Sequence, residues 1–333
     1  MESVLKCVVI LGKSTLCLPW NCHGGSDHGA LKLKCPRAIK VLQIFAACPV
    51  TAMFLDTVLT NTAETFAGTS KFSEHIALYI TYFASVSPDL VIRTASIAYN
   101  QEQQSLIQNM LPWIPNWAKK VNRLKNMFIL LSFLFSILIW TLGSLSSMIT
   151  TDINYELPPA FRLTILGSNE FIFRSAYIIT DLWSVLAVAY AWLFSGVVGI
   201  LLVERLHIFT LKCEELVRWM EKTKILENPC VYHTELPAIT QEFLFIKVSL
   251  ENYGKIGGSY LLAVMLNCTL HIITYLSTKC GQEETSSNYQ HSIFYTIQAA
   301  SLLPAIILIS SFGNYLTKEV CYYPAFVVKY STY

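Results

Sequence analysis

The chain has 333 residues, 53% of them hydrophobic and 14% charged, with a net charge of +2. A soluble domain carries roughly 25% charged residues, and the shortfall is clustered into long stretches almost free of charge, which argues against a water-soluble globule. Basic residues flank these stretches rather than forming one patch, so nucleic-acid binding has no support.

An apolar helix of ~20 residues crosses the ~30 Å hydrocarbon core. The runs are continuously apolar rather than alternating, which favours helices over barrel strands. The predicted fold class is therefore an all-α membrane protein with six transmembrane helices.

In chain order, "MESVLKCVVILGKSTLCLPW" has a short apolar core, Cys7 to Gly12, closed by Lys13. No small-residue cleavage site follows, which disfavours a signal peptide. Cys17, Cys22, His23, His28 and Cys35 lie close together but lack the paired spacing of a zinc knuckle. No metal or cofactor is expected. The predicted spans run over Val41–Leu59 (interrupted by Pro49), His75–Ala95, a third from Met127, Tyr177–Val203, Gly258–Leu276 and Ile293–Ser311 (with Pro304). The resulting organisation is a cytoplasmic segment 1–40, four spans in 41–203, a helical extension 204–256, two spans in 257–311 and a cytoplasmic tail 312–333.

Outside the spans, Lys and Arg number nineteen on the side of the N-terminus and four on the other. The positive-inside rule puts both ends of a six-span chain in the cytoplasm. A G-protein-coupled receptor needs the opposite orientation, and the segment after the third span lacks its acidic-Arg-aromatic triplet.

The loop after the fourth span reads as helix. Leu236, Ile239, Phe243, Ile246, Leu250 and Tyr253 recur every three or four residues, and Leu206, Phe209, Cys213, Leu216 and Met220 do the same before the break at "ENPC". Two stripes of this kind pack on each other in a hairpin, or on neighbouring subunits as an anchor.

No nucleophile elbow, zinc-protease helix or phosphate loop occurs, so an enzyme is not expected. Ionisable residues inside spans are the better lead. Asp89 and Arg93, four apart toward the cytoplasmic end of the second span, suit an intramembrane ion pair. Asp181 and His271 fall in the outer half of the bundle with Tyr79, Tyr82, Trp140, Tyr177 and Trp183. Together they could line a pocket open to the outside; an interfacial aromatic belt is the competing account.

The layout resembles the insect chemoreceptor superfamily, gustatory receptors first and odorant receptors second. The likeness rests on the cytoplasmic N-terminus and the helical stretch between spans four and five. Two segments add to it: "LENYGKIGGSYLLAVMLNCTLHIITYLS" entering span five and "SSFGNYLTKEV" after span six. The resemblance implies a ligand-gated, non-selective cation channel in the plasma membrane. It further implies a homo- or hetero-tetramer that binds a small-molecule tastant or odorant in the outer half of its bundle. Members have seven spans, the last lining the pore and carrying TYhhhhhQF in gustatory receptors. Thr274–Tyr275 is followed by "LST", and "AFVV" at Ala325–Val328 is too short to cross. The expectation is a channel subunit ending before its pore helix. A multi-span transporter or unrelated channel is the alternative, with Pro49 and Pro304 as its slender support.

Overall fold

A computed structural model describes residues 2–18, 41–48, 51, 55, 87–110, 131, 134–135, 138, 141–142, 170–222 and 229–281. Among them the fold is all-helical. The principal elements are α1 (Glu2–Ser14), α2 (Asn100–Met110), α3 (Glu170–Lys222) and α4 (Pro229–Gly281). Residues 41–48 and 87–98 are helical too.

The two long helices dominate. Each has 53 residues, about 80 Å at 1.5 Å per residue, far longer than the ~30 Å needed to cross a bilayer. They pack on each other along much of their length. α4 opens on Pro229, where the first-turn position has no need of an amide hydrogen and φ is already set. Pro237 lies inside α4 and removes one backbone bond; the packed seam begins two residues later at Ile239.

Their lower halves form a helical hairpin. Leu206, Phe209, Cys213, Ile239 and Ile246 make one buried cluster, with Leu216, Val217, Phe243 and Leu250 against it. The two predicted stripes thus meet inside one chain. Of the expected anchor residues, Ile239 and Ile246 are consumed by this contact, and Phe243 lies 6.1 Å from Phe209, centroid to centroid. The side chains of Leu236 and Met220 lie outside the described residues. Lys212 and Glu242 pair at 2.8 Å across the hairpin, beside this seam.

A larger cluster forms around the upper half of α3: Tyr190, Phe194, Val197, Leu201 and, from α4, Ile256, Tyr260 and Ala263. Tyr190, Phe194 and Tyr260 stack mutually with centroids 5.5 to 5.9 Å apart, a tilted to edge-on geometry that aromatic quadrupoles favour.

Three sequence expectations change here. The sequence puts residues 2–18 in a cytoplasmic segment ahead of the first span, yet Leu5, Val8, Cys17 and Leu18 are fully buried in the main core. The short apolar face of α1, closed by Lys13 at its C-terminal turn, is used for packing on α3. Second, helix does not stop at Ala95: Tyr99 N–H donates to Ala95 O at 2.9 Å and Gln103 N–H to Tyr99 O at 3.0 Å. Helical bonding therefore runs on to Met110. Hydropathy ended the span early because "NQEQQSLIQNM" is polar, but Gln, Glu and Leu are good helix formers. Third, one described segment, Leu182–Arg218, is long and apolar enough to cross a membrane, where six spans were expected. That property is shared by buried core helices of soluble proteins. About half of predicted span one, most of spans two and three, and all of span six lie outside the described residues; span five is continuous helix within α4.

Candidate functional site: a buried polar stripe

One face of residues 87–110 carries Asp89, Arg93, Ser96, Asn100 and Gln103, spaced four, three, four and three apart. That is the spacing of a helix face turned to a partner. All five are buried, with relative exposures of 0, 2, 1, 2 and 0%. The stripe climbs about 21 Å along the helix.

Its upper end is ionic. Arg93 Nε donates to Asp89 Oδ2 at 2.8 Å, so the predicted pair exists and is enclosed. Arg93 Nη1 donates to Thr15 O at 2.8 Å, and the guanidinium lies 4.6 Å from the centroid of Trp183. Arg93 thereby joins three elements: its own helix, the end of α1, and α3.

The same place finishes α1. The carbonyls of its last residue and of the two that follow accept side-chain donors from three different segments: Ser14 O from Trp183 Nε1 (3.2 Å), Thr15 O from Arg93, and Leu16 O from Gln43 Nε2 (2.9 Å). Leu16 has φ 58°, a left-handed conformation that costs a branched residue about 1–2 kcal/mol. The captured carbonyls on either side offset that strain.

The lower end is neutral. Gln103 Nε2 donates to Tyr260 Oη at 2.8 Å and also to Tyr190 Oη, while Ser96 Oγ and Tyr260 Oη lie 2.7 Å apart. Among the described residues, Gln103 Oε1, Asp89 Oδ1 and Arg93 Nη2 have no protein partner although buried. An unsatisfied buried polar atom costs about 1–3 kcal/mol, and three along one stripe mark where water or a polar ligand atom would sit. Below, Lys255 and Glu102 approach to 3.9 Å.

The expected site residues fare unequally. Asp89, Arg93 and Trp183 come together. That overturns their predicted separation, the pair near the cytoplasmic end of the second span and Trp183 in the outer half of the fourth. Arg93 beside Trp183 and Gln103 beside Tyr190 show that residues 87–110 run parallel to α3, about three turns further along than hydropathy placed them. Tyr79, Tyr82 and Trp140 lie outside the described residues. Tyr177, Asp181 and His271 fall on helical backbone whose side chains lie outside them. Ser96, Asn100, Gln103, Tyr190 and Tyr260 were missed; a heptad of polar residues running on from Asp89 was the signal available. Among the described residues no group of His, Cys, Asp and Glu could hold a metal; Cys22, His23, His28 and Cys35 lie outside them.

No protein-family model, curated protein or solved structure matches this chain.

Proposed function

We propose that the chain is a multi-pass membrane protein of six spans, a chemosensory receptor subunit of the insect gustatory or odorant type. The observation that supports membrane residence is an inside-out distribution of polarity. The polar stripe is enclosed, whereas Phe45, Phe135 and Leu262 are 66, 63 and 64% exposed, as are Val41, Leu42, Ile44, Leu131, Leu138 and Leu142 to lesser degrees. Exposed apolar faces of this extent in water mark interaction or membrane surfaces, and polar groups turned inward are how membrane helices hold together.

The receptor assignment rests on the sequence likeness of the segments entering span five and leaving span six. It gives the subunit a small-molecule ligand, a tetrameric assembly with its own or related chains, and a role in a plasma-membrane cation channel. The stripe is a fitting seat for such a ligand. Gln103, Tyr190 and Tyr260 offer neutral hydrogen bonding among aromatic faces, with the Gln103 carbonyl open to a donor.

Two measurements test this reading. Expressed with tags at both ends, the chain should stay in the membrane pellet after alkaline extraction, with both tags reached only after permeabilisation; release into the supernatant overturns it. For the ligand, a panel of small neutral alcohols, esters and sugars should contain members that raise the Tm of the purified chain. Gln103→Leu should abolish the rise, and a rise that survives this change would move the site elsewhere.

A further inference from the structure

Arg93 and Asp89 make half of a fork. The guanidinium is planar, and Nε–H and one Nη2–H leave it along the same edge. A carboxylate set square on that edge accepts two parallel hydrogen bonds. Here Nε reaches Asp89 Oδ2 at 2.8 Å. The atoms of the second bond, Arg93 Nη2 and Asp89 Oδ1, have no partner among the described residues. The carboxylate is therefore turned off the edge, and a gap separates its free oxygen from the free nitrogen.

The surroundings keep that gap from closing. Arg93 is held from two other sides: Nη1 donates to Thr15 O at 2.8 Å, and the Trp183 ring centroid lies 4.6 Å from the guanidinium carbon. The two side chains are 2 and 0% exposed, so bulk solvent satisfies neither free atom. Each member of a buried ion pair thus lacks one hydrogen bond in an enclosed place, where such a deficit is most costly.

The two free atoms also select what fills the gap. Nη2 needs an acceptor and Oδ1 needs a donor. A carboxylate or phosphate offers no donor and is repelled by Asp89. An ammonium offers no acceptor and is repelled by Arg93. A ketone, ester or ether accepts but does not donate. A hydroxyl does both. We propose that Arg93 Nη2 and Asp89 Oδ1 form a binding site for a single hydroxyl oxygen, that of a small alcohol or of a water molecule. Arg93 stands ten residues before Gln103 on helix 87–110, about 15 Å along its axis. The site is therefore separate from the seat beside Tyr190 and Tyr260, and it does not depend on the receptor assignment.

The test is nuclear magnetic resonance of the full chain in detergent micelles with isotope-labelled arginine. The Arg93 signals are assigned by proximity to the Trp183 ring protons and by their loss in Arg93→Lys. The η protons of Arg93 should cross-relax with water. Isopropanol should shift these signals and replace the water contact with one to its methyl groups. Acetone and isopropylammonium, built on the same carbon skeleton, should do neither. Displacement by isopropanol assigns the site to an alcohol; a water contact that isopropanol leaves in place assigns it to bound water. Contact with neither overturns the site, as does acetone or isopropylammonium acting like isopropanol. Isopropanol that contacts only the Tyr190 and Tyr260 rings, with no water at Arg93, overturns it as well.

Discussion

Arg93 satisfies a carboxylate, a backbone carbonyl and an aromatic face with one guanidinium, while 2% exposed. Taking two charges out of water is costly, and their attraction offsets that only while both are present. Asp89→Leu alone should therefore lower stability by about 3–5 kcal/mol, because a buried cation is left without its partner. Asp89→Leu/Arg93→Leu should recover only part of this. The Thr15 carbonyl loses its donor in the double variant, a penalty of about 1–3 kcal/mol. Thermal unfolding of the detergent-solubilised chain reads both; a double variant no better than the single would show that α1 is held mainly by the guanidinium. Tyr190→Phe should cost about 1 kcal/mol, the ordinary net value of one hydrogen bond. Asp89 and Arg93 were legible in the sequence because charges stand out in an apolar run. Gln103 was not: a glutamine in "NQEQQ" looks solvated until Tyr190 and Tyr260, more than eighty residues away in the chain, close over it.

At the scale of elements, the hairpin was readable and its neighbours were not. Leu206, Phe209 and Cys213 on one helix and Ile239 and Ile246 on the other advertise their seam through spacing alone, because each helix is amphipathic there. Spacing left open whether the stripes face each other or another subunit; the intramolecular cluster now contains both. Helix 87–110 defeated hydropathy because its inward face is polar, and α1 because thirteen residues are too few to look like a span. The hairpin gives a graded prediction. Ile246→Ala should lower its stability by about 2–5 kcal/mol through lost burial and a cavity. Lys212→Ala should cost under about 1 kcal/mol, since its ion pair with Glu242 is 44% exposed on the lysine side and water screens it. Helicity followed through a thermal ramp separates the two; an equal loss from both would mean that charge register, not the apolar seam, holds the helices.

For the whole molecule, the question is what bathes its outer face. Phe135 and Leu262 point away from the core on different helices, and Leu244 does the same on the hairpin, at 54% exposed. In water, replacing any of the three with arginine is a surface change worth within about 0.5 kcal/mol. In a bilayer the same change near the middle of a spanning helix costs about 2.5–3.5 kcal/mol. The three positions should therefore split. Phe135→Arg should reduce the fraction of chain resisting alkaline extraction and lower the Tm of what remains; Leu262→Arg, four residues inside the fifth predicted span, should do the same to a smaller degree, because an arginine near a helix end reaches the interface. Leu244→Arg, on the hairpin that the multi-pass reading puts outside the bilayer, should leave both unchanged. This contrast is sharper than hydropathy, which reads the apolar residues of a buried core and those of a lipid-facing surface alike; only the sign of the response to a charge distinguishes them. Tolerance at all three positions would place the whole exterior in water and remove the multi-pass reading together with the receptor assignment built on it.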